Sequence, residues 1–205
     1  METLDGYLTQ LASSQPTPGG GSAAAIVAAS GAALLSMVGR IYSESRKYAP
    51  YHELTTRIVA SADALRAELM LARERDEKAF ARVMTAHALR QNGDAEKTAR
   101  AASIETALYG AAAEPLRSAS LALDVLRFSA QLVTVPNKNL MSDIGCAAEF
   151  AYAALAACAY NVRINHRFMR NADAIAQQAA LLARYEEEAG TLLASVRRTV
   201  KEALS

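Results

Sequence analysis

The chain has 205 residues, 52% hydrophobic and 21% charged, enough to bury a sizeable core and suited to one globular domain over 1–205. Lys+Arg 22 against Asp+Glu 21 leaves a formal charge of +1, so no global field draws in nucleic acid or an anionic membrane surface, and neither is expected as a partner. Two cysteines, Cys146 and Cys158, and three scattered histidines, His52, His87 and His166, make neither a disulfide framework nor a zinc cluster, and no metal is expected.

The sequence holds 46 alanines and almost no alternating β-branched run, and its five prolines (Pro16, Pro18, Pro50, Pro115, Pro136) punctuate it. This predicts an all-α fold with helices over 2–13, 20–47, 51–90, 94–133 with a break near Pro115, 138–169 and 172–203. Long helices joined by short turns imply an antiparallel bundle of five or six helices. The first segment has no basic region leading into a leucine-rich core. With two buried, unpaired thiols expected, this points to a reducing cytoplasm.

The second predicted helix opens on PTPGGGSAAAIVAASG, residues 16–31, and residues 19–39 carry no charge, the length of a spanning helix. Its only large aliphatic residues are Ile26, Val27, Leu34, Leu35, Met37 and Val38. Its gain on transfer to lipid is therefore small, and a buried core helix is expected instead. Ala29, Gly31, Ala32, Ala33, Ser36 and Gly39 would let neighbours approach closely, which suits a central helix or a subunit interface. The glycines are not a nucleotide loop, because the preceding strand and the Gly-Lys-Ser/Thr ending are both missing. What remains at Gly19, Gly20, Gly21 and Ser22 is a helix start whose N–H groups suit a carboxylate, a carbonyl or an oxyanion. At the other end SRKYAP places Lys47 and Tyr48 about 38 Å from Ser22 along a straight helix. The two ends share a site only across a subunit interface, or if the helix bends near Gly39.

The third helix carries an apolar stripe of Ile58, Ala62, Leu65, Leu69, Ala72, Ala79, Phe80 and Val83, and Asp76 falls on it. A carboxylate there is either held in a structural ion pair, or lies at the stripe's edge, or has a displaced pKa fit for acid or base work. Asn92-Gly93-Asp94 ends this helix and supplies a cap for the next. After Pro136, NKNLMSDIG offers Asn137 or Asn139 as a cap, with Ser142 and Asp143 in the first helical turn beside the positive end of the dipole. Cys146 and Cys158 sit twelve residues apart on this fifth helix, about 18 Å along its axis, and do not pair. Ala154, Cys158, Asn161 and Asn165 share a face, so two amides occupy a core stripe and need partners, water or a ligand.

In order along the chain, LASSQPTPGGGSAAA, SRKYA, the DxxAF of Asp76 to Phe80, NKNLMSDIGCAA and NVRIN resemble the formiminotransferase-cyclodeaminase C-terminal family. That family includes stand-alone bacterial methenyltetrahydrofolate cyclohydrolases, and the resemblance runs from about Leu4 to the last helix. It implies an all-helical dimer acting on one-carbon units of tetrahydrofolate, with no cofactor beyond that substrate. The reaction is either water attack on 5,10-methenyltetrahydrofolate to give 10-formyltetrahydrofolate, or the cyclising deamination of 5-formiminotetrahydrofolate. The expected catalytic groups are Asp143 as base or cation-stabilising carboxylate, Asp76 as a second acid/base or orienting group, and Lys47 as proton donor or folate clamp. Gly19, Gly20, Gly21 and Ser22 would offer N–H groups, Tyr48 would stack nearby, and Asn139, Ser142 and Asn161 complete the expected substrate-binding set, near a subunit boundary.

Two departures bear on this. Val135-Pro136 stands where relatives commonly carry Gly before Asn-Lys-Asn, and Ser45-Arg46 stands where a Lys-rich approach is common. The competing reading is a non-catalytic helical module that binds folate or a protein. The polar groups on apolar stripes argue against it, since a scaffold has no use for that much buried polarity. The chain carries no formiminotransferase domain to feed it a formimino group, which places the cyclohydrolase ahead of the deaminase.

Overall fold

A computed structural model describes residues 3–205, so the expected start of the first helix at residue 2 lies outside the described residues. Among the described residues, six α-helices account for the architecture: α1 (Leu4–Leu11), α2 (Gly20–Glu44), α3 (His52–His87), α4 (Asp94–Leu132), α5 (Met141–His166) and α6 (Ala172–Leu204). Among the described residues there is no strand. Helices α2 to α5 run up, down, up and down, each packed on the next, with α5 returning beside α2 to close a four-helix core. Thus the start of α2, the end of α3, the start of α4 and the end of α5 lie at one end of the bundle.

Small residues set the α2–α5 spacing. A β-carbon on Gly31 would lie 3.0 Å from the Ala147 carbonyl oxygen, so the backbones meet where a side chain would hold them apart. Leu35, Val38 and Tyr42 of α2 are buried in one core with Ile144, Ala148 and Leu155 of α5 and Leu123 and Leu126 of α4. Burial accounts for the uncharged length of α2, although α2 and Lys138–His166 are both long and apolar enough to cross a membrane. Ser36, also buried, bonds to Asp63 of α3, which Arg40 pairs with at 2.5 Å.

Helix α6 is amphipathic, burying Gln178, Leu182, Ala189, Leu193 and Val196 at three- and four-residue spacing against α4 and α5. Forked ion pairs pin it at its edges: Arg127 of α4 to Glu188 at 2.6 and 2.7 Å, and Arg197 to Glu149 of α5 at 2.6 and 2.7 Å.

Several boundaries differ from expectation. The chain leaves α2 at Glu44, and 45–47 instead feed a 3-10 turn over Arg46–Tyr51 that contains Pro50. Helix α3 ends at His87, before the Asn92-Gly93-Asp94 turn, which supplies the cap of α4 through Gly93, with Glu96 reaching back to the Asn92 N–H at 2.8 Å. A 3-10 turn over Lys138–Leu140, capped by Asn137, precedes α5, which ends at His166. Cys158 is buried, but Cys146 is exposed.

The expected break at Pro115 does not occur. Proline deprives the Ala111 carbonyl of its helical donor, and the Asn165 amide of α5 supplies one instead, at 3.1 Å. The helix stays intact because a neighbour satisfies the orphaned oxygen.

Candidate active site

At the end of the bundle where α2 begins, four helices surround a cleft of about 470 Å³. Gly19, Gly20 and Gly21 form one edge, Pro16 and Thr17 the rim, and Asp76, His87, Asn161 and Asn165 supply polar groups. Phe80, Val83, Met84, Leu108, Ile164 and Phe168 make apolar walls.

Asp76 is the chemical centre of this cleft. It lies on the face of α3 that buries Leu69, Ala72, Ala79 and Val83, pressed against the first turn of α2. A β-carbon on Gly21 would stand 2.7 Å from the Asp76 carboxyl carbon, so only glycine permits this contact. The Ser22 backbone N–H donates to the carboxylate, as a helix start is built to do. Burial nevertheless dominates and pushes the Asp76 carboxyl up to about 6, with the charges of Glu77 and Glu114 adding to the rise. A carboxylate poised there is ionised at neutral pH yet basic enough to take a proton.

Asn161 and Asn165, whose amides looked out of place on a core stripe, are partnered. Asn161 Nδ2 donates to the Ala157 carbonyl at 2.9 Å, and Asn165 Nδ2 to those of Asn161 and Ala111. Each therefore has its Oδ1 left to offer the cleft. Cys158 lies below Asp76; burial first, and then the nearby Asp76 charge, push its thiol up to about 12. It remains protonated and is no nucleophile.

Of the expected site residues, the fold gathers Gly19, Gly20, Gly21, Asp76 and Asn161 around one cleft. Ser22 sits behind its wall, with the side chain fully buried and bonded to Tyr7 and Glu77, so only its backbone N–H faces Asp76. Lys47, Tyr48, Asn139, Ser142 and Asp143 lie at the opposite end of the bundle, because α2 continues unbent through Gly39 for its 25 residues, about 37 Å. There Lys47 is exposed with Nζ 5.3 Å above the Tyr48 ring, and Tyr48 is itself buried edge-on against Tyr42 at 4.8 Å between centroids. Asp143 is half-buried in the first turn of α5, and Asn139 donates its backbone N–H to Asn137. One subunit thus presents two separated clusters.

Sequence reasoning missed the apolar walls. Phe80 was counted as core but is 36% exposed, and Ile164 and Phe168 are more than half exposed at the end of a helix. Their signal was available, as large apolar residues crowd the last turns of α3 and α5, but periodicity alone assigns such residues to a core.

Comparison with known proteins bears on the family and the fold. A sequence model of the formiminotransferase-cyclodeaminase family matches residues 3–184. The chain is 36% identical over 200 residues to a methenyltetrahydrofolate cyclohydrolase of Methylorubrum extorquens, covering 98% of this chain and 96% of that protein. It is 29% identical over 167 residues to a mouse formimidoyltransferase-cyclodeaminase, 82% of this chain and 31% of the mouse protein. Among solved structures, a formiminotetrahydrofolate cyclodeaminase from Thermotoga maritima superposes with a TM-score of 0.89 at 25% identity, over 99% of this chain and 98% of that one.

Proposed function

Because the chain belongs to the formiminotransferase-cyclodeaminase C-terminal family, we propose that it hydrolyses 5,10-methenyltetrahydrofolate to 10-formyltetrahydrofolate, with no cofactor beyond the folate. The observation that carries this reading is Asp76, a carboxylate held near 6 beneath a glycine-lined helix start and facing an apolar cleft.

The chemistry asks little of the protein. The methenyl carbon shares a positive charge with two nitrogens and is already electrophilic, so the enzyme must place a water, remove its proton and direct which C–N bond opens. Asp76 takes the proton as the water oxygen bonds to the methenyl carbon. The resulting carbinol then collapses to a formyl group on N10, and the electrons of the broken bond and a proton go to N5. The ring system lies between Phe80 and Phe168, and the amide oxygens of Asn161 and Asn165 accept from its ring N–H groups.

Assembly belongs to the same proposal. The exposed faces of α2 and α5 carry Val27, Met37, Ile41, Phe150 and Tyr160, an apolar surface suited to a second copy. A two-fold axis across these antiparallel helices would set Lys47 and Asp143 of a second copy beside the Asp76 cleft, reuniting the two clusters. In this reading the protein is a soluble, cytoplasmic homodimer, with α2 and α5 buried in the assembly rather than in a membrane.

The second reading, cyclodeamination of formiminotetrahydrofolate, is favoured by the structural likeness to the Thermotoga enzyme. Purified protein given each substrate separates the two. Loss of methenyl absorbance with 10-formyl product is the expected outcome, whereas ammonia release from the formimino compound alone would establish the deaminase instead.

A further inference from the structure

Three helices meet behind the cleft wall through one buried hydroxyl. Ser22 is 0% exposed, and its Oγ lies 3.0 Å from the Tyr7 hydroxyl of α1 and 2.9 Å from Glu77 Oε1 of α3. The single Ser22 proton goes to the carboxylate, which can only accept. The Tyr7 proton must then go to Ser22. The direction of the chain is thereby fixed: Tyr7 O–H to Ser22 Oγ, and Ser22 O–H to Glu77 Oε1.

Its location gives it a consequence. The same Ser22 whose side chain is clamped from two sides donates its backbone N–H to Asp76, and Glu77 is the next residue in α3. Tyr7 is buried at 3% exposure, with the Arg73 guanidinium 5.4 Å above its ring, so α1 is anchored at this point. Between α1 and α2 the chain has only the short loop that carries Pro16 and Thr17 on the cleft rim. Holding Tyr7 therefore holds the helix start.

We infer that Tyr7, Ser22 and Glu77 are positioning residues for the reaction, a directed hydrogen-bond chain that fixes the first turn of α2 against Asp76. This rests on the reading of Asp76 as the proton acceptor. A base must stand within a few tenths of an ångström of its water, and a small slip of the α2 start away from α3 removes that alignment without emptying the cleft. The chain should thus act on turnover and leave folate affinity alone.

The test compares Tyr7→Phe, Glu77→Ala and Glu77→Gln in the full-length protein, reading kcat and KM for methenyltetrahydrofolate beside the thermal midpoint. Tyr7→Phe deletes one oxygen and keeps the ring under Arg73, and Glu77→Gln keeps an accepting oxygen. Tyr7→Phe and Glu77→Ala are each expected to lower kcat about tenfold with KM within about twofold, and Glu77→Gln to return kcat to within about threefold of wild type. Wild-type kcat in either Tyr7→Phe or Glu77→Ala, or a Glu77→Gln variant as slow as Glu77→Ala, overturns the chain. Should Tyr7→Phe melt below the assay temperature, Ser22→Ala, which keeps the backbone N–H, tests the same link with the same expected tenfold fall and the same overturning result. Asp76→Asn measured in parallel separates the two ideas. An inactive Asp76→Asn with fully active Tyr7→Phe removes only the chain, whereas a fully active Asp76→Asn removes the base on which it acts.

Discussion

Replacing Asp76 by asparagine keeps the volume of the side chain and removes its charge. As the proposed proton acceptor, its loss is expected to lower kcat for methenyl hydrolysis about a thousandfold, measured by the decay of methenyl absorbance. Stability should move the other way. The folded-state carboxyl is raised from 3.8 to about 6, so the native state holds its proton over a range in which the unfolded chain has lost it. Stability from this group is therefore greatest at low pH and falls as pH rises from about 4 to about 6, a penalty on the order of 2 kcal/mol after allowing for partial exposure. Melting curves of Asp76→Asn against wild type should show the variant several degrees more stable at pH 7 and the gap narrowing toward pH 4.

Helix α4 survives an internal proline because Asn165 donates to the carbonyl that Pro115 leaves without a partner. Asn165→Leu is expected to destabilise the fold by about 1–3 kcal/mol in denaturant titration. In a Pro115→Ala background, where residue 115 regains its N–H, the same substitution should cost about 1 kcal/mol less, a coupling read from the double-mutant cycle. This compensation was invisible in the sequence, since the two partners lie 54 residues apart and no local pattern links them. Asp76 was legible because 3.6-residue periodicity places it on a buried stripe without any knowledge of its neighbours. The helix-start glycines were legible too, as a missing side chain is a local fact. What local patterns could not show was distance: Ser142 and Asp143 were correctly set in the first turn of α5, but only the antiparallel topology puts that turn at the far end from Asp76. The hydroxyl of Ser22 escaped for a similar reason, since its partners come from two other helices.

At the scale of the whole molecule, the separation of Lys47 and Asp143 from Asp76 by the length of α2 makes the dimer proposal sharp. Asp76→Asn and Lys47→Ala homodimers are each expected to be inactive. When the two are unfolded together and refolded, half the dimers are mixed and hold one site free of both changes, so activity should recover to about a quarter of wild type. A site confined to one subunit would recover none. The role of Asp76 itself is tested most directly by the pH dependence of kcat/KM for methenyltetrahydrofolate, which reports the free enzyme's base. The expected profile falls as pH drops through about 6, and this limb disappears in the residual activity of Asp76→Asn. A wild-type profile flat across that range, or an unchanged limb in the variant, would contradict the assignment.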